Sequence, residues 1–163
     1  MRKVLSFSFL TFAALVNLPA MAAQTSPGLN CVAANGANVA VGADGAIQNN
    51  DMGALNVSCP LANTLSANAS VTPSVIVNDG TNVGIVSCHA TAYSGGIAGT
   101  TVTGATVSTT AADLGKKKIT LGAITVTAPG GSVFITCTLP AGGMMGGGGG
   151  GGTPSSVISY STN

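Results

Sequence analysis

Ser132-Val133-Phe134-Ile135-Thr136-Cys137-Thr138-Leu139 alternates from end to end. Val133, Ile135, Cys137 and Leu139 fall on one side; Phe134, Thr136 and Thr138 fall on the other. A period of two is the pattern of a half-buried β-strand. Pro129-Gly130-Gly131 turns the chain into this strand, and Pro140, which has no backbone N–H, ends it.

The same pattern recurs on both sides. Asn38 to Val41 predicts a short strand, followed by the turn Asp44-Gly45. Leu55, Val57, Cys59 and Leu61 share a face, and Pro60 is expected to end that strand or place it at an edge. Val71, Pro73, Val75 and Val77 share another, closed by the turn Asn78-Asp79-Gly80. Val83 to Tyr93 follows, with Val86, Cys88, Ala90 and Ala92 inward, and Ser94-Gly95-Gly96 turns again. Thr100 to Thr110 is threonine-rich, and Asp113 to Lys118 is expected as a loop. Ile119 to Thr127 changes phase between Leu121 and Ile124, which predicts a bulge at Gly122. Ser156 to Tyr160 is the last strand.

No helical period interrupts this series beyond the N-terminal segment. The expected fold is all-β, an antiparallel β-sandwich of about seven to eight short strands. The segment LPAGGMMGGGGGGGTPSS, Leu139 to Ser156, holds seven consecutive glycines. Flanked by two strands, residues 141–154 predict the oversized loop of a terminal hairpin. Polyglycine has no side chain for chemistry, and loop-closure entropy grows slowly with length. Met144 and Met145 are the candidate contact residues of this loop, two adaptable apolar side chains on a tether.

The N-terminus reads as a processing signal. Met1-Arg2-Lys3 is positive, Val4 to Leu18 is largely apolar, and Ala20-Met21-Ala22 is a small-x-small cleavage site. Residues 1–22 are taken as a signal peptide and 23–163 as a single β-sandwich domain. The apolar stretch is short against the ~20 residues of a membrane span, so no integral span is expected in the mature chain. The expected location is secreted, periplasmic or at the cell surface.

Cys31, Cys59, Cys88 and Cys137 make an even count behind a secretion signal, which reads as a disulfide framework. Cys59, Cys88 and Cys137 lie inside alternating strands, as structural rather than reactive thiols do. The absence of a Cys-x-x-Cys or His/Cys cluster argues against zinc. Pairing Cys31–Cys59 and Cys88–Cys137 is favoured, since sequence neighbours tend to be sheet neighbours. Each would stabilise by roughly 3.5–4 kcal/mol on the chain-entropy account. The alternative, a Cys59–Cys137 pin between sheets, would resemble immunoglobulin domains, which pack a tryptophan on it; this chain has none.

Composition excludes several functions. Without Arg2 and Lys3 the cations are Lys116, Lys117 and Lys118, against Asp44, Asp51, Asp79 and Asp113, with no glutamate. Nucleic acid demands many more cations, and a polybasic membrane patch also needs more. A hydrolytic triad would have to use His89, the single histidine, which points away from Cys88 on its strand. Neither a GxSxG elbow nor a phosphate-binding loop is present. The expectation is a protein that is not an enzyme and uses no cofactor or metal. Turn chemistry accounts for the aspartates, which are too thinly spread for calcium. Lys116 to Lys118 reads as a solvated stretch and gatekeeper before Ile119.

Two resemblances accompany this layout. Cys31, Gly45-x-Ile47-x-Asn49, Val57-Ser58-Cys59-Pro60-Leu61, Val75-x-Val77-x-Asp79, Val86-x-Cys88, Cys137-x-Leu139-Pro140 and Ile158-x-Tyr160 resemble small secreted bacterial two-disulfide β-domain proteins. That resemblance implies export and a β fold, and brings no activity. Tyr160 and the short final strand are loosely similar to chaperone–usher pilin subunits. Tyr160 is not penultimate, however, and Gln24 to Asn30 is short and irregular for a donor strand. Thr101-Val102-Thr103 and Thr125-Val126-Thr127 are similar to the ladders of ice-binding proteins, without a fixed period. The function expected is binding or assembly at the envelope or outside, with an unknown extracellular or envelope partner. Self-assembly as a pilus, filament or matrix subunit is the alternative, and ice or surface binding the third.

Overall fold

The structure is a computed structural model that describes residues 24–34, 37, 39–80, 84–95, 99–142 and 153–162. In chain order the strands are β1 Thr25–Pro27, β2 Val32–Ala33, β3 Val39–Val41, β4 Ile47–Asn49, β5 Leu55–Leu65, β6 Ser70–Val71 and β7 Pro73–Asp79. There follow β8 Ser87–Tyr93, β9 Thr101–Thr103, β10 Val107–Ser108, β11 Gly115–Thr120, β12 Ile124–Thr125, β13 Gly131–Leu139 and β14 Ser156–Thr162. A 3₁₀ turn, Gly28–Asn30, follows β1.

The strand that opened the sequence reading is the middle of the first sheet. β13 alternates buried and half-buried over its whole length. It pairs antiparallel with β5 on one side and β8 on the other, in the order β10-β8-β13-β5-β2, and β9 adds to β8. The second sheet runs β11-β7-β14-β4-β3, with β1 pairing β14. β12 and β6 form a small separate pair. All of these pairings are antiparallel.

The core is the space between the inner faces. Val57, Cys59, Cys88, Ala90, Ile135, Cys137 and Leu139 come from the first sheet; Ile47, Val75, Val77, Ile119, Val157 and Tyr160 come from the second. These side chains are mostly small, and burying one aliphatic residue contributes about 1.5–3 kcal/mol. The cystines compensate from within the core. Cys88 and Cys137 are direct cross-strand partners and are bonded. Cys31 precedes β2 and is bonded to Cys59 of β5. The favoured pairing is therefore the observed one, and each bond joins adjacent strands of the same sheet rather than pinning two sheets together.

Several expectations change. The terminal hairpin is overturned: β13 and β14 lie in different sheets. Both edges of β13 are already occupied by β5 and β8, so the last strand has no edge to join and enters between β7 and β4. Leu139 and Ser156 thus end and begin strands of opposite sheets. Met144 and Met145 lie outside the described residues, as do residues 1–23. The turn after Asn78 also leads to the other sheet, since β7 and β8 do not pair.

Lys116 to Lys118 are not a loop. Gly115, at φ +92°, turns the chain into β11, where the lysines pair with Asn78, Val77 and Ile76 at the sheet edge. Lys117 stands opposite core-facing Val77 yet stays exposed, a charge that discourages another strand from adding there. The phase change near Gly122 is a break rather than a bulge: β11 ends at Thr120 and Ile124 joins β6. Of the two expectations for Pro60, the edge is the observed one: β5 continues to Leu65, and β2 reaches only to Ser58, so that side of the strand has no ladder at Pro60 to interrupt. The strand count is fourteen among the described residues, since many two- and three-residue pieces pair without showing an alternation.

Candidate functional site

The register of the first sheet decides what its outer face presents. With Cys88 opposite Cys137, His89 falls opposite Thr136, Thr91 opposite Phe134, and Tyr93 opposite Ser132. Neighbours directly across an antiparallel pair share a face. Because Cys88, Ala90 and Ala92 are buried in the core, His89, Phe134 and Tyr93 stand on the outside, with Phe134 of β13 diagonal to both His89 and Tyr93 of β8. Tyr93 is 40% exposed. Of the aromatic residues beyond the N-terminal segment, only Tyr160 is elsewhere, buried in the core.

Three cross-strand rows organise this face. In the first, the Ser87 and Ser108 hydroxyls are 2.8 Å apart and Thr138 donates to Asn56 Oδ1 at 2.7 Å. The second runs His89, Thr136, Ser58, Val32 over four strands. The third contains Thr103, Thr91, Phe134 and Pro60. At the β2 end of the second row lies a pocket of about 200 Å³, lined by Val32, Ala33, Ala34, Asn56, Val57, Ser58 and Thr136. The wall formed by β2 is held by the Cys31–Cys59 bond, since β2 itself has two register pairs. The described face carries no lysine and no carboxylate: the lysines are on β11, Asp79 is on β7, Asp44 is in the turn between β3 and β4, and Asp51 and Asp113 are in the loops from β4 to β5 and from β10 to β11.

The chemistry of the second sheet is structural. Asn49, fully buried, donates from Nδ2 to the carbonyls of Gly53 and Pro140 at 2.8 Å, and its Oδ1 accepts from the Asp51 N–H. Its own N–H donates to the Ser155 carbonyl. Asn49 thus holds the end of β13 and the approach to β14 together. Gly80 lets Thr153 lie against it, where a Cβ would be 1.6 Å from the Thr153 carbonyl oxygen. Asp79, buried beside it, accepts from the Thr109 hydroxyl, which in turn accepts from the Val86 N–H. Burial pushes the Tyr160 phenol above its ordinary pKa, against hydrogen bonds from Ser26 and Asn30. Asp113 is lowered to about 2, first by Lys117 and then by the Thr110 hydroxyl and N–H.

The sequence candidates distribute as follows. The four cysteines are structural cystines. Asp44 caps the Ala46 N–H and pairs with Lys116, Asp51 bonds the Met52 N–H, and Asp79 is taken by Thr109. The Thr-x-Thr pairs fall in different sheets, on β9 and at β12, and do not form one ladder. The N-terminal segment is used within its own chain, β1 pairing with β14 rather than projecting as a donor strand. His89 points away from Cys88, as its place on the strand implies, and the Cys88–Cys137 register sets it on the same face as Phe134 and Tyr93.

These features define a two-sheet antiparallel sandwich with an aromatic outer face that carries no lysine and no carboxylate. No family model matches the chain, and no curated protein matches it significantly. Among solved structures it is similar to the GH26-CBM35 β-(1,4)-mannanase of Podospora anserina, at TM-score 0.50 and 12% identity over 86% of this chain and 27% of that one. It is also similar to the exo-β-1,3-galactanase of Phanerochaete chrysosporium (TM-score 0.49, 13% identity, 86% and 29% covered). A third is the C-terminal CBM6 of the LamC laminarinase of Zobellia galactanivorans (TM-score 0.47, 9% identity, 86% and 98% covered). The chain spans less than a third of the length of the first two. The likeness to the mannanase is one of fold.

Proposed function

We propose that the chain is an exported, non-catalytic carbohydrate-binding domain whose ligand lies on the outer face of the first sheet. The observation that carries this reading is the grouping of His89, Phe134 and Tyr93 beside a row of hydroxyls and a pocket of about 200 Å³. Saccharides offer apolar ring faces edged by hydroxyls. Aromatic rings with a few placed polar groups are the matching protein surface. The mannanase of similar fold acts on a polysaccharide, which makes this ligand class the first to test.

The non-catalytic part rests on His89. On this face it stands among hydroxyls and rings, while the aspartates belong to other elements, so neither an orienting acid nor a pair of carboxylates accompanies it. Two cystines fit an oxidising compartment, in keeping with export. The full chain, expressed with export and printed against a glycan array, is expected to retain a defined set of saccharides. Phe134→Ala is expected to abolish that retention while leaving the melting transition nearly in place. An array without any retained glycan, or retention unchanged by Phe134→Ala, overturns the proposal.

A further inference from the structure

The three rows of the outer face differ in how their polar groups are used. Ser87 is bonded to Ser108, and Thr138 to Asn56, so the first row satisfies itself. In the second row, the side chains of His89, Thr136 and Ser58 make no hydrogen bond within the described protein. His89, Thr136 and Ser58 are half-buried, Val32 is exposed, and the row leads straight to the pocket, since Thr136, Ser58 and Val32 belong to both. It crosses from β8 through β13 and β5 to β2, a span of about 14 Å at the usual spacing between strands.

Three properties of a ligand follow. A span of this length suits a short oligosaccharide rather than a single ring. The pocket lies below the roughly 300–1,000 Å³ of drug-sized sites and suits one ring at the end of such a chain. Its walls, Val32, Ala33, Ala34 and Val57, are apolar except where Asn56, Ser58 and Thr136 meet it. The lysines that would neutralise an anionic sugar stand on β11, in the other sheet.

We infer, resting on the carbohydrate reading above, that the ligand is an uncharged oligosaccharide lying across the strands along His89, Thr136, Ser58 and Val32, with its last ring in the pocket. An acidic polysaccharide would lose the hydration of its carboxylates or sulfates against this face and gain no cation in return.

Titration calorimetry on the full chain tests this with neutral manno-, xylo-, cello- and galacto-oligosaccharides from dimer to hexamer. Polygalacturonate and dextran sulfate are the acidic probes. Expected is binding of a neutral series whose affinity climbs with length and then levels off once the row is filled, with no binding of either acidic polymer. Thr136→Val and Ser58→Ala should each weaken it about tenfold, the scale of one lost hydrogen bond, and Ser87→Ala should leave it unchanged. A preference for an acidic polymer, affinity independent of length, or an effect of Ser87→Ala equal to that of Thr136→Val overturns this inference and leaves the carbohydrate reading standing. Absence of binding to every saccharide overturns both.

Discussion

One sheet of the sandwich carries both cystines, His89, Phe134, Tyr93 and an outer face without lysine or carboxylate; the other carries the lysines, Asp79 and a buried polar clamp at Asn49. The two sheets share one core of small side chains but are reinforced differently. The first is stapled covalently, and beside the bonded row of Ser87, Ser108, Thr138 and Asn56 its outer surface keeps a second row whose polar groups hold no structure together. The second is held by hydrogen bonds and edge charges, and its polar side chains are spent on the fold itself. The candidate site therefore falls where stability does not depend on the exposed residues.

The largest way to break this contrast is to remove the staples. The Cys88→Ala/Cys137→Ala double variant should lose about 4 kcal/mol, and Cys31→Ala/Cys59→Ala about 3.5 kcal/mol, because the sequence separations are 49 and 28 residues. Urea unfolding monitored by circular dichroism checks the order. The second pair should also weaken saccharide binding, since it holds the β2 wall of the pocket; the first, in a destabilised but folded protein, should weaken binding less.

Next comes the clamp. Asn49→Ala removes a fully buried amide that serves the buried Leu139 carbonyl and the half-buried bonds to Gly53, Pro140 and Asp51, and should cost about 1–3 kcal/mol in a thermal or urea melt. Saccharide affinity measured on the folded fraction should not change. A binding loss at Asn49 would erase the division between the sheets.

A smaller effect is expected from replacing Lys116, Lys117 and Lys118 by Gln. Edge lysines act chiefly against association, so the expected outcome is a rise in oligomers by light scattering with stability nearly unchanged. The smallest effect is at Asp113. Its folded pKa, about 2, is below the ordinary 3.8, so its contribution is present above pH 3.8 and is lost as pH falls toward 2. The pair lies at the surface, so Asp113→Asn should shift the melting temperature slightly at neutral pH, and the difference from the parent should vanish only below about pH 2.

How much of this was legible in the sequence can be judged strand by strand. Leu55, Val57, Cys59 and Leu61, the run Val86, Cys88, Ala90 and Ala92, and the run Val133 to Leu139 all face the core as their alternation implied. Alternation reports which face a residue takes and is silent on which strand lies beside it. That is why Ser156 to Tyr160 was placed next to β13 although it belongs to the opposite sheet. Lys116 to Lys118 failed for a related reason: an edge strand needs only one backbone partner, and three lysines carry no inward signal. The candidate face was within reach. A disulfide between two strand residues fixes the register of the pair, and Cys88–Cys137 sets His89 beside Thr136 and Phe134 between His89 and Tyr93.

Asn49 has one more consequence. Through its side chain and its backbone N–H it touches Leu139, Pro140 and Ser155, so the points where the chain leaves one sheet and enters the other are bridged by a single residue. Gly142 is fastened to Asp51, and Thr153 lies against Gly80. The two ends of the described chain there, Gly142 and Thr153, are thus each moored to the body of the fold, and a foreign domain inserted between them would leave both moorings in place.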